Sequence, residues 1–204
     1  MPPEDAHLVE HLDSRQEILK GNFLHARRDT VRLPDGKHAT REYVVHPGAV
    51  MVIPLLQSVP GAPWRVVMER QFRYPVGRVI TEFPAGKLDP GEDLWLCAQR
   101  ELREETGYRA AEWAHAGLIH PLVAYSTEFI DVWFAHGLHP GERALDEGEF
   151  LDVITASVDE VLQWCRDGSI TDGKTLVGAL WLQNLVSGAW SLDWKAAAAA
   201  PAAG

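Results

Sequence analysis

Glu101, Glu104 and Glu105 stand at a spacing that could do chemistry. If their segment is helical, Glu101 and Glu105 lie four residues apart and Glu101 and Glu104 three apart, so three carboxylates leave one face. Like charges spaced this way repel by roughly a few tenths of a kcal/mol per pair. A hard dication that takes several oxygen ligands converts that repulsion into affinity. Arg100, four residues before Glu104, can pair with it and hold a carboxylate in place. An acid-rich helix face is also commonly nothing more than solvated surface, and spacing alone leaves both readings open. A negatively charged site can still handle a phosphorylated substrate when cations stand between the carboxylates and the phosphate oxygens.

The elements that would position these residues can be read from periodicity. Residues 17–56 read as extended segments around a turn at 33–37, where Pro34, Asp35 and Gly36 separate β-rich flanks. Strand-like runs continue at 64–73 and 79–84, joined by the turn-forming Tyr-Pro-Val-Gly. The pattern changes at 92, where Leu94, Trp95, Ala98 and Leu102 fall near helical spacing and Gly107 is a stop, which predicts one helix of about 14 residues. Further strands are expected at 111–119, 129–138 and 150–156. Ser157 and Glu160 then form a capping box for one helix, and Asp172 can cap a last one. Strands, a helix, more strands and two helices predict an α/β fold whose mixed sheet is layered with helices, not a doubly wound parallel sheet. No internal repeat is visible.

Composition bounds the function. With 204 residues the chain suits one domain plus a small extension. We divide it into a β-rich extension at 1–47, a main domain at 48–192 and a flexible alanine-rich tail at 193–204. A formal net charge of −10 argues against nucleic acid as a partner, since that binding rests on lysine and arginine. No run approaches the roughly 20 apolar residues of a membrane span, and the acidic amino terminus is unlike a signal peptide, so no membrane partner and a cytoplasmic location are expected. Cys97 and Cys165 suit reduced thiols, and the nine histidines show no zinc spacing. The eight tryptophans, Trp95, Trp133, Trp164 and Trp181 among them, suit core or interface packing, and one of them could stack on a base.

Gly86, Glu92, Arg100, Glu101, Leu102, Glu104, Glu105, Gly107 and Tyr108 fill every position of a known signature: Gly, five residues, Glu, seven residues, Arg-Glu-apolar-any-Glu-Glu-any-Gly-apolar. The chain here resembles the Nudix hydrolases, and within a complete signature the cation reading outweighs the solvated-face reading. The resemblance implies a Nudix fold, with an α/β/α sandwich behind an N-terminal antiparallel β extension. It also implies metal ligation by Glu101 and Glu105 with Glu104 assisting, and by the carbonyl of Ala85 in the upstream Glu-Phe-Pro-Ala-Gly. The cation implied is Mg²⁺, with Mn²⁺ possible.

That upstream segment and the runs at 27–50 and 69–92 are similar to the ADP-ribose pyrophosphatase branch. In that branch the early strands exchange or pack between two subunits, so a homodimer is implied. The branch makes Glu82 a substrate contact, the alternative being an ordinary outward strand residue, and makes Arg41 and Arg73 candidates for phosphate or base contact. Glu128 aligns with a loop glutamate, although a glycine of that loop is missing here. The mobile acidic run at 145–153 is similar to the loop that supplies the catalytic base, which points to Glu149, with Glu147 nearly level. Glu104 and Arg100 complete the catalytic set. Pro121 falls slightly early for the proline that often marks the ADP-ribose group. The implied reaction is attack of water on the diphosphate of a nucleoside diphosphate sugar, ADP-ribose first. NADH, GDP-mannose, a damaged nucleoside triphosphate, or a non-catalytic ADP-ribose-sensing module are the alternatives.

Overall fold

The computed structural model describes residues 3–197. Among the described residues the chain forms two compact units, one from the residues up to Gly48 with His120–Phe129 and one from Ala49–Ile119 with the residues from Ile130 onward. In the first, β1 (His11–Lys20), β2 (His25–Arg32) and β3 (His38–Val44) make an antiparallel sheet in that order. Gly36, at φ +83°, supplies the left-handed corner of the β2–β3 turn, and Leu33 N–H closes it on Lys37 O at 2.7 Å. Asp29 is the unit's buried acid. It accepts from Arg15 Nε at 2.9 and 3.3 Å, from Arg15 Nη2 at 2.8 Å and from the Tyr43 hydroxyl at 3.0 Å, which joins all three strands. Residues 11–16 are strand although their polar sequence shows no β pattern; pairing with β2 supplies the backbone partners that propensity does not.

The second unit is an eight-stranded sheet. Its main path runs β10 (Leu151–Ser157), β5 (Arg65–Arg73), β4 (Ala49–Leu56), β9 (Ile130–Pro140), β8 (Tyr108–Ile119) and β11 (Lys195–Ala196). Two strands lie off it: β6 (Arg78–Glu82) pairs with β5 and β7 (Ala85–Lys87) with β4. β4 and β9 are parallel, whereas β4 pairs antiparallel with β5 and β7, so the sheet is mixed.

The central strand β4 is buried along Ala49–Leu55, and its alternation serves two layers. Val50 and Val52 join Ala98 and Leu102 of α1 (Leu94–Thr106) in one core. Met51 and Ile53 join Val161 of α2 (Val158–Asp167) and Ala179 and Leu182 of α3 (Gly173–Val186) in the other. The helices therefore cover both faces, and the α/β sandwich with an antiparallel amino-terminal sheet is the fold the sequence predicts.

Local signals set the helix ends. Asp93 accepts from the N–H groups of Trp95 and Leu96 at 3.0 and 3.2 Å to start α1, and Gly107 at φ +77° ends it. The Ser157–Glu160 box is formed at α2, and Asp172 caps α3 through Thr175 N–H. At the carboxyl end, Lys195 and Ala196 pair with Trp113 and Glu112 of β8, and Ala197 N–H reaches Ala111 O at 2.7 Å. This part of the expected tail is tied to an open strand edge; 198–204 lie outside the described residues.

Candidate active site

α1 lies so that its acidic face meets β7. Glu101 and Glu105 are 9% and 4% exposed, far from the solvated helix face that charge alone would suggest. Ala85 N–H donates to Glu105 Oε2 at 3.0 Å. Gly86 lets the Glu101 carboxylate lie directly against the backbone, because a Cβ there would fall on that carboxyl group. Arg100 organises the rest. Its Nε and Nη2 each donate to Glu92 at 2.8 Å, and its Nη1 donates to Glu101 at 2.7 Å and to Glu104 at 3.2 Å. Glu92, at the opening of the segment, is thus the anchor of the arginine that aligns the other acids.

A second group of charges comes from β5, β6 and the start of α3. Glu82 is 2% exposed and faces two cations: Arg73 in a bidentate pair at 2.7 and 3.0 Å, and the Lys174 ammonium in direct contact. Lys174 also donates to Asp172 at 3.0 Å. Directly across from Glu82 on β5 is Glu69, which has no exposed surface and no hydrogen-bond partner for either carboxylate oxygen. Gln71, two residues on, donates to Glu149 at 3.4 Å.

The electrostatics follow from burial. Desolvation first, then the nearby Glu69, Glu101 and Glu149 charges, push the Glu105 carboxyl well above the usual carboxylate range. Desolvation and Glu82 do the same to Glu69. Glu101 is raised to about 7 by desolvation, against the pull of Arg100. Glu82 moves the other way: burial works against its charge, but Arg73 and Lys174 outweigh it and the carboxyl is lowered. Glu92 falls to about 2 through its bonds from Arg100.

These acids fit a hard divalent cation. The donor set is oxygen only, as Mg²⁺ and Mn²⁺ require. One buried carboxylate is orphaned, and the Gly86 cradle leaves room for Glu101 and nothing bulkier. The carboxylates share one region without closing a cage: among the described residues, no three or more His, Cys, Asp or Glu groups surround a single point.

Of the residues singled out in the sequence, Glu101, Glu104, Glu105, Arg100 and Ala85 are brought together, and the Glu149 charge is near enough to raise the Glu101 and Glu105 carboxyls. Glu147 is solvent-exposed. Glu82 is not an outward strand residue, and with Arg73 it forms the buried pair above. Arg41 and Glu128 belong to the other unit. There Arg41 donates to Glu10 through Nε at 2.9 Å, and Glu128 lies 3.8 Å from His46. Sequence reasoning missed Glu69, Gln71 and Lys174, and it saw Asp172 only as a helix cap. Glu69 carried one usable signal, a charge inside the apolar run Val-Val-Met; nothing in the sequence ties Lys174 to Glu82, 92 residues earlier.

Comparison with known proteins bears on the family and the fold. Residues 45–175 match the model of the NUDIX domain, and residues 10–44 match that of the nucleoside diphosphate sugar hydrolase N-terminal domain. The chain is 40% identical over 172 residues to the methanol dehydrogenase activator of Bacillus methanolicus, covering 82% of this chain and 89% of that protein. It is 34% identical over 178 residues to the ADP-ribose pyrophosphatase of Bacillus subtilis, covering 86% and 94%. The crystal structure of an ADP compounds hydrolase has the same fold, with a TM-score of 0.77, 17% identity, and coverage of 88% of this chain and 95% of that one.

Proposed function

Because this chain belongs to the NUDIX domain family and is a hydrolase acting on a pyrophosphate linkage, we propose that it is a Mg²⁺-dependent enzyme splitting a nucleoside diphosphate sugar, with ADP-ribose giving AMP and ribose 5-phosphate. The observation that carries the reading is the buried face of α1, where Glu101 and Glu105 are held against Gly86 and Ala85 by Arg100 and a backbone N–H. Glu101, Glu105, Glu104 and the Ala85 carbonyl would hold the cation. When bound, it neutralises the diphosphate and makes water a better nucleophile. Glu149 accepts the proton of that water; its charge acts on Glu101 and Glu105, and Gln71 donates to it. Glu147, on the same loop, is the second candidate base. Arg100 keeps Glu101 and Glu104 aimed. Arg73 and Glu82, with Arg41 and Glu128, are the proposed substrate contacts. We also propose a cytoplasmic location; separately, among the described residues no helix is long and apolar enough to cross a membrane.

We further propose that the protein works as a homodimer. β1 is exposed along its whole length, and Leu12, Ile18, Leu19, Phe23 and Leu24 present apolar surface in the same unit. A second reading, in which the chain activates a dehydrogenase, is favoured only by the 40% identity to the methanol dehydrogenase activator. The test is a product assay with ADP-ribose, NADH, GDP-mannose and 8-oxo-dGTP, with Mg²⁺ or EDTA, on the wild type and Glu105→Gln. We expect AMP from ADP-ribose, its loss in EDTA, and a fall of orders of magnitude for the variant. Full activity of Glu105→Gln would refute the assigned role of the helix.

A further inference from the structure

Glu69 is not a member of the signature, yet it is the most completely buried acid near it. It sits in the interior of β5, opposite Glu82 on one side and Val153 of β10 on the other, inside a run in which Val66, Val67 and Met68 are also fully buried. Neither oxygen has a hydrogen-bond partner. The two cations within electrostatic reach, Arg73 and Lys174, spend their hydrogen bonds on Glu82 and Asp172. Its other charged neighbour is Glu105, whose carboxylate has a single donor, the N–H of Ala85. Two adjacent buried carboxylates thus have one hydrogen-bond donor between them. A buried carboxylate without donors persists only where a partner of opposite charge, or a proton, takes up its lone pairs.

We propose that Glu69 supplies a further oxygen ligand to the divalent cation, extending the site from α1 onto β5; this rests on the reading of α1 as the cation-binding face. Glu69 and Glu105 would share that ion, with Arg100 continuing to orient Glu101. Arg73 and Lys174 keep Glu82 out of it, since both of that residue's oxygens are engaged. The site so formed takes a hard, oxygen-seeking dication, Mg²⁺ or Mn²⁺.

The test is calorimetric titration of the whole protein with Mn²⁺, beside thermal unfolding in EDTA and in Mn²⁺, for the wild type, Glu69→Gln and Glu105→Gln. A ligand role predicts that Glu69→Gln weakens Mn²⁺ binding by about 10-fold or more. It also predicts that Glu69→Gln, which removes a buried carboxyl without donors, melts no lower than wild type in EDTA and gains less from Mn²⁺. If Glu69→Gln keeps wild-type affinity while Glu105→Gln loses it, Glu69 is a proton-sharing neighbour; the proposal falls and the α1 reading stands. If the wild type takes up no Mn²⁺, both fall. Should Glu69→Gln fail to fold, the Mn²⁺ electron paramagnetic resonance spectrum of Glu69→Asp decides: a changed spectrum supports ligation, and one identical to wild type overturns it.

Discussion

Among single residues, Glu92 and Lys174 show how far a role can lie from the residue that does the chemistry. Glu92 touches neither Glu101 nor Glu105, but it receives the Arg100 fork at 2.8 Å through both nitrogens. Its carboxyl titrates near 2 in the fold, against an ordinary value of 4.5. The sign follows from that depression. The Glu92–Arg100 pair contributes its full stability above pH 4.5 and loses it as pH falls toward 2. Glu92→Gln should therefore flatten the acid limb of a stability-versus-pH curve between those values; a wild-type slope in the variant would refute the assignment. Lys174 is a sharper case. Replacing it with methionine leaves the buried Glu82 with Arg73 alone, and loss of one partner of a buried pair costs about 3 kcal/mol. Urea unfolding measures this, and an unchanged midpoint would show that Arg73 suffices. The acids of α1 were legible in the sequence because their ligand logic is local, with spacings of three and four residues. The Glu69–Glu82–Lys174 group was not, because strand pairing and a helix start bring it together from three distant segments.

At the scale of elements, the site depends on how closely α1 approaches β7. β7 is only three residues long, yet it fixes the level at which Ala85 and Gly86 meet Glu105 and Glu101, because its pairing with Met51 and Val50 of β4 locks its register. The helix was readable from its capping residue, its apolar spacing and Gly107. The short strand was not, since Pro-Ala-Gly reads as a turn and only the partner strand makes it extended. Gly86 is the contact point, and its role is one of space. In Gly86→Ala the new methyl meets the far end of a flexible glutamate, so the side chain yields and the backbone stays. We expect wild-type circular dichroism and a melting temperature within a few degrees, but Mg²⁺-dependent turnover reduced by about 10-fold or more, as displaced ligand geometry costs elsewhere. Wild-type kinetics in this variant would show that Glu101 need not lie against the loop.

Taken whole, the molecule carries a net charge of −10 and an amino-terminal sheet whose first strand has no buried residue. The sequence marked this region as extended only from residue 17. The reason is now visible: a strand with one neighbour and no layer above it need not alternate apolar with polar, so β1 carries no period-two signature. What it carries instead is exposed apolar surface. Leu12, Ile18 and Leu19 are about half exposed, and Phe23 is 66% exposed just beyond the strand's end. A lone subunit would leave these in water with the open hydrogen-bonding edge of β1, a combination that invites a second chain. A twofold pair of identical subunits satisfies both at once, each copy offering the patch the other covers. Light scattering of the purified protein should then give twice 22.7 kDa. Its melting temperature should rise with protein concentration, because association stabilises the folded form by mass action. Ile18→Glu should bring the mass to that of one chain and remove the concentration dependence. If the subunits also complete each other's substrate contacts, the same substitution lowers ADP-ribose turnover while Mn²⁺ affinity at α1 is kept. A wild-type mass of 22.7 kDa at every concentration, with activity proportional to protein, would instead make the chain a self-sufficient monomer and leave β1 to another partner.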